Sequence, residues 1–174
     1  VTRILAIDPG NAESAWVLID ADTRHPVAFG KQSNDDLLTD LYREQLEGCF
    51  NFHAENLHHA AIEMVASYGM AVGADVFETC VWIGRFQEAL GGSLATHDVQ
   101  LVKRHPIKLH HCKSARANDS NIRQALTDRF APGVGNYGKG NKAQPGWFYG
   151  FFKDIWQAYA LAVYVADVLA GDAA

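Results

Sequence analysis

Three acidic residues of this chain stand where a carboxylate needs a reason. Asp8 closes the run Arg3-Ile-Leu-Ala-Ile-Asp8 and is followed by Pro9-Gly10. Glu63 lies inside His59-Ala-Ala-Ile-Glu-Met-Val65, and Asp154 opens an apolar stretch that runs to Leu169. Each has an ordinary explanation. Asp8 can accept hydrogen bonds in an Asp-Pro-Gly turn, Glu63 can sit in a structural salt bridge, and Asp154 can cap a helix or complement its dipole. Brought to one place, however, three carboxylates repel one another unless cations lie between them. Oxygen-only ligands favour Mg²⁺ or Mn²⁺, and two such ions about 4 Å apart clamp an in-line phosphoryl displacement.

The elements that must position these residues follow from hydrophobic spacing. Residues 3–8 read as a buried strand in which Ile4, Ala6 and Asp8 share one face and Leu5 and Ile7 the other. Ser14–Asp20 and Pro26–Gly30 read as two more strands around an Asp20-Ala-Asp-Thr turn, giving an antiparallel meander. A helix begins near Asn34 and carries Leu37, Leu38, Leu41, Tyr42 and Leu46 at helical spacing to about Gly48. Residues 59–65 form a short strand buried on both sides, so Glu63 requires a cationic or donor partner. A helix over 74–90 presents Val76, Phe77, Cys80, Val81, Ile83 and Gly84 as one broad apolar face. Val99–Val102 is a strand, interrupted soon after by Pro106. Asn118-Asp-Ser120 caps a helix with Ile122, Ala125, Leu126 and Phe130, and the last helix spans Asp154–Leu169, apolar on nearly every side.

The chain has 174 residues, 48% hydrophobic and 20% charged, which suits one globular domain over 1–174 and excludes a disordered one. Its longest apolar stretch is too short to span a bilayer. The expectation is a chain with no signal peptide and no membrane partner, in the cytoplasm of a bacterial cell or phage-infected host. The widely spaced Cys49, Cys80 and Cys112 fit reduced thiols there.

The net charge of −5 has the wrong sign for a nucleic-acid binder, but its distribution matters more. Residues 99–118 contain no acid and hold Lys103, Arg104, Lys108, Lys113 and Arg116, a basic strand and loop suited to phosphates. Residues 131–152 form a glycine- and aromatic-rich loop with Lys139 and Lys142. Most of its aromatics should pack on the core; lysines interleaved with aromatics also suit unstacked bases. No phosphate-binding glycine loop is present.

The motifs Ile-Leu-Ala-Ile-Asp8-Pro-Gly, Ala-Ile-Glu63, Gly73-Ala-Asp75 with Ile83-Gly84, and Asp154-x-x-x-Ala158-x-Ala160-Leu-Ala together resemble the RuvC-type Holliday-junction resolvases of the ribonuclease H-like superfamily. The segment from Lys113 to Leu126 is similar to phage-type members. The resemblance implies an α/β fold, a five-stranded mixed sheet with helices on both faces. It also implies a homodimeric endonuclease that cuts four-way DNA junctions by two-metal hydrolysis, leaving 5′-phosphates. Asp8, Glu63 and Asp154 would be catalytic and hold two Mg²⁺, with Mn²⁺ as the other candidate. Lys103, Arg104, Lys108, Lys113, Arg116, Lys139 and Lys142 would bind DNA, and Tyr68 would probe an opened base pair.

One position departs from the pattern. Where the family carries a second acid on the last helix, Gln157 stands; it can offer a carbonyl but no charge. Asp119 is the other source of a fourth ligand, although a helix cap is its plainer role. Three rival readings remain: a branched-DNA-binding module of the same fold with weak or no catalysis; an ATP-handling actin-like chain, for which a second lobe and a phosphate loop are missing; and a zinc site using His110 and Cys112, as alternate residues of a strand, with another histidine.

Overall fold

The computed structural model describes residues 2–47, 57–66, 69, 71–91 and 99–171. Its elements are β1 (Arg3–Asp8), β2 (Glu13–Asp20), β3 (Pro26–Ser33), α1 (Asn34–Glu47), β4 (Leu57–Met64), α2 (Ala74–Gly91), β5 (Val99–Lys103), α3 (Arg104–Cys112), α4 (Asp119–Phe130) and α5 (Ile155–Ala170). The strands are joined in the order β3-β2-β1-β4-β5. The first three form the expected antiparallel meander, and β4 and β5 extend it in parallel. At its hairpin, Asp20 Oδ1 accepts from the backbone N–H groups of Asp22 and Thr23, which closes the turn.

Period-two alternation splits the core into two layers. Ile4, Ala6, Ala15, Val17, Ala61 and Val102 pack with α5 on one face of the sheet. Leu5, Ile7, Leu18, Ala60 and Ile62 pack with Leu37 and Leu41 of α1 and Ile83 and Phe86 of α2 on the other. Among the described residues no helix is long and apolar enough to cross a membrane.

Two elements differ from the sequence reading. On α2 the buried side is Thr79, Ile83, Phe86, Ala89 and Leu90, whereas Phe77 and Val81 are 63% and 61% exposed. The apolar residues of α2 span more than one face, and the sheet covers only one of them. The second difference is α3. The basic stretch after β5 is a helix, because Pro106 falls in its first turn, where a missing N–H breaks no bond. His110 and Cys112 therefore do not share a face as the zinc reading required. His110 Nε2 meets Asp167 Oδ2 at 2.7 Å, and His111 Nε2 meets the Ala160 carbonyl at 2.8 Å. Burial pushes His111 down to about 4 and keeps it neutral.

Residues 131–152 contain no helix or strand, only turns and a single bridge between Gly140 and Pro145. Phe148 and Phe151 are fully buried against Trp156 and Tyr159. Trp147 stacks on Phe130 and donates from Nε1 to the Tyr159 hydroxyl, which donates in turn to the Arg24 carbonyl. Gly138 has φ +74°, and a Cβ there would lie 2.5 Å from that of Ala131, so the turn requires glycine. Tyr137, Tyr149 and Phe152 remain exposed.

Asp167, 1% exposed on α5, ties these layers together. It accepts from Arg24 Nε and Nη2 at 3.2 and 3.0 Å, from Arg129 Nη1 and Nη2 at 2.6 and 3.0 Å, and pairs with His110. Burial alone would raise its pKa; the bonds from Arg129, His110 and Arg24 outweigh burial and hold the carboxyl at about 2. In the unfolded chain it titrates near the ordinary value of about 3.9. The ionised form is thus favoured in the fold, and about 2 kcal/mol of stability is present above pH ~4 and lost as pH falls towards ~2. Asp167→Asn is expected to cost about 2–4 kcal/mol at neutral pH, because Arg24, largely buried, loses its counter-charge while Arg129 is half in solvent. Urea unfolding of both proteins at a series of acidic pH values checks this: the wild-type midpoint should fall through that window, and the variant should lack that part of the slope.

Candidate functional site

The sheet brings Asp8 and Glu63 together by register. Asp8 continues the row of Ile4 and Ala6, and Glu63 continues the row of Ala61, so both carboxylates point to the α5 face. The last paired positions of these parallel strands are Ala6 with Ala61 and Ile7 with Ile62, which leaves Asp8 and Glu63 side by side at the strand ends. The turn beyond Asp8 is pinned from the other side of the sheet. Ser14 Oγ donates to Asn34 Oδ1 at 2.6 Å, Asn34 Nδ2 donates to the Gly10 carbonyl at 3.0 Å, and the Gly10 N–H donates to Ser14 Oγ. A Cβ on Gly10 would stand 2.4 Å from the Glu13 carbonyl oxygen, so only glycine fits. Sequence reasoning missed Ser14 and Asn34, both buried polar residues; their only signal was a polar residue at each edge of an apolar strand or helix.

Two cations complete the cluster. Arg104, the first residue of α3, donates from Nη1 to both Glu63 oxygens at 2.9 and 3.1 Å and from Nη2 to Asp119 Oδ1. Glu63 thus has an arginine partner that its sequence neighbourhood did not reveal. The Arg104 guanidinium, read from the sequence as a phosphate contact, lies between two carboxylates. Asp119 is not the cap of α4: Asn118 is, accepting from the Asn121 N–H in a reciprocal capping box. Asp154 does hold the N-cap position of α5, yet its side chain caps nothing. Its Oδ2 accepts from Lys31 Nζ at 2.5 Å. Lys31 reaches it because β3 runs on past Gly30, and Asp8, Ala15 and Lys31 form one cross-strand row on the α5 face. The small Ala15 side chain leaves room above it. Gln157, 6% exposed, borders the same cavity as Asp154 and Asp119.

The electrostatics follow from this packing. Burial first, and then the Glu63 charge, push Asp8 well above the usual carboxylate range; Arg104 opposes this, and Asp154 and Asp119 add to it. Burial also raises Glu63 against the pull of Arg104. Lys31 is raised by its bond to Asp154. Among the described residues no donor is hydrogen-bonded to the Asp8 carboxylate. This donor set, carboxylate oxygens with one amide, has the chemistry of a hard divalent cation site, and Asp8 is the oxygen donor left over. As they stand, with Arg104 and Lys31 in place, no three His, Cys, Asp or Glu side chains among the described residues are grouped to hold one ion.

The remaining candidates are spread more widely. Lys108 lies one turn after Arg104 on α3, and its charge acts on Glu63. Lys103 is exposed at the end of β5, Lys113 and Arg116 are exposed between α3 and α4, and Lys139 and Lys142 lie in the 131–152 segment. Arg116 borders a separate cavity of about 470 Å³ with His111 and Gln124. Tyr68 lies outside the described residues.

A desolvated carboxylate beside like charges destabilises a metal-free fold. Asp8→Asn is therefore expected to raise the melting temperature in chelator at neutral pH by about 2–4 °C, equivalent to roughly 1 kcal/mol in a chain of this size. Calorimetry checks this; a lowered melting temperature would mean the ionised Asp8 is held by a donor.

No family model matches the chain, and no curated protein is similar to it in sequence. Solved structures are similar in fold. Thermus thermophilus RuvC superposes with a TM-score of 0.65 at 12% identity, covering 99% of this chain and 98% of the other. T. thermophilus RuvC in complex with a Holliday junction substrate superposes with a TM-score of 0.61 at 11% identity, with coverage of 99% and 98%. The order β3-β2-β1-β4-β5, with α5 across the face that carries Asp8 and Glu63, is thus the ribonuclease H-like architecture of the RuvC type.

Proposed function

We propose that this chain is a divalent-metal-dependent endonuclease that cuts branched DNA. The observation that carries this reading is the pairing of Asp8 with Glu63 at the strand ends of a RuvC-type sheet, with Asp154 and Asp119 close enough to raise Asp8 further. A structure of the same fold was solved on a Holliday junction, which supports a four-way junction as substrate.

In this reading Asp8, Glu63 and Asp154 hold two Mg²⁺ or Mn²⁺ ions, with Gln157 and Asp119 as further oxygen ligands. Bound there, the ions supply an activated water and stabilise the leaving 3′-oxygen, giving 5′-phosphate ends. The chain's own residues prepare the site. The Gly10–Ser14–Asn34 bonds fix the direction of Asp8. Arg104 and Lys31 pair with Glu63, Asp119 and Asp154 and leave Asp8 without a partner; released from Glu63 and Asp119, Arg104 joins Lys108 as a phosphate donor. Lys103, Lys113, Arg116, Lys139 and Lys142 extend the basic surface, and Tyr68 contacts an opened base pair.

The binding-module reading keeps one observation on its side: Gln157 is neutral, and Arg104 and Lys31 already occupy Glu63, Asp119 and Asp154. A labelled four-way junction separates the two. The wild type should nick it with Mg²⁺ and leave 5′-phosphates, and Asp8→Asn should be slower by roughly two orders of magnitude or more. Salt-sensitive binding without cutting in Mg²⁺ or Mn²⁺ would favour the module, and equal cutting by both proteins would sink the role of Asp8.

Paired nicks across a junction need two sites related by symmetry, so the reading includes a homodimer. Phe77 and Val81, one helical turn apart and exposed on α2, offer an apolar face for it. Sedimentation should find a wild-type dimer and a folded Phe77→Glu/Val81→Glu monomer; a monomeric wild type at micromolar concentration would remove this element.

A further inference from the structure

Beside the carboxylate cluster, between the first turns of α4 and α5, lies a cavity of about 330 Å³ bordered by Asp119, Arg123, Lys153, Asp154 and Gln157. Its two acids are already paired, Asp119 with Arg104 and Asp154 with Lys31. Its two cations are not. Among the described residues neither the Arg123 nor the Lys153 side chain makes a hydrogen bond or ion pair. The cavity thus has two acids already engaged by cations and two cations of its own open to an anion.

Arg123 is also held in place. Its guanidinium lies over the Tyr137 ring, 4.1 Å from the centroid, so an aromatic of the 131–152 segment orients it. Its Nε is buried with no hydrogen-bond acceptor. Lys153 immediately precedes Asp154 and has φ +42°, a conformation that non-glycine residues seldom adopt. A stacked, planar guanidinium with free donors is suited to phosphate oxygens. The cavity volume is near the lower end of the range for small-ligand sites, roughly 300–1,000 Å³, which suits one phosphate with its sugar.

We infer that this cavity is a subsite for a backbone phosphate of the DNA strand, next to the one that is cut, with Arg123 and Lys153 as its donors. The inference rests on the proposed DNA-cutting function and adds two phosphate-binding residues to it. They would set how the strand enters the carboxylate cluster.

The test is binding of a four-way junction in chelator across a range of salt, comparing wild type with Arg123→Gln, Lys153→Gln and the double variant. Each single variant should bind about five- to tenfold more weakly and reduce the salt slope by about one, the double by about two. Lys153 is exposed, so its variant reports even if Arg123→Gln perturbs folding. A wild type that binds junctions, with an unchanged affinity and slope in Lys153→Gln and in any folded Arg123→Gln, overturns the inference and leaves the endonuclease reading intact. A wild type that binds no junction removes both.

Discussion

Backbone hydrogen bonding between β1 and β4 holds two parallel strands roughly 4.8 Å apart, and each carries a carboxylate on the same face, Asp8 as the last residue of β1 and Glu63 as the last but one of β4. That spacing is set by the ladder and cannot relax to relieve repulsion between Asp8 and Glu63. Positive charge has to be brought in, and it comes from opposite sides of the sheet. Lys31 arrives from β3, at one edge, and Arg104 arrives from the turn into α3 after β5, at the other. Every strand therefore takes part in balancing the cluster, either by carrying an acid, by delivering a cation or, as with Ala15 of β2, by leaving space between them.

The face of the sheet that bears the acids is covered by α5, a helix buried on nearly all sides. Such a helix has no solvent in which to leave a charge, so Asp167 is bound by two arginines and a histidine drawn from the turn after β2, from α4 and from α3. These bonds fix α3 and α4 relative to α5. They thereby hold Arg104 and Asp119, at the first turns of α3 and α4, against Asp154 at the start of α5. The 131–152 segment completes the packing, with Phe148 and Phe151 inserted beneath it and Tyr137 left outside under Arg123.

Much of this was legible in the chain. The meander, the alternation that sends Asp8 and Glu63 to one face, the helices from Asn34, Ala74 and Asn118, and the apolar last helix all follow from periodicity and turn residues. α3 was hidden because Pro106 looks like an interruption in one dimension and is a harmless first-turn residue in three. The exposed side of α2 was hidden for a different reason: hydrophobic spacing shows which residues are apolar, not which of several apolar faces a sheet will cover.

The sequence by itself determined where carboxylates end up within their own elements, because strand alternation and helix starts are local properties. Tertiary structure decided their partners. Glu63 meets Arg104 across 41 residues and Asp154 meets Lys31 across 123, pairings that no local pattern encodes. It likewise decided that Asp119 lies in an ion pair while Asn118 caps α4, and that the Arg123 guanidinium lies over Tyr137 beside the acids. A charge's role depends on which opposite charge the fold places within a few ångströms, and that distance exists only once the sheet, α3 and α5 have packed.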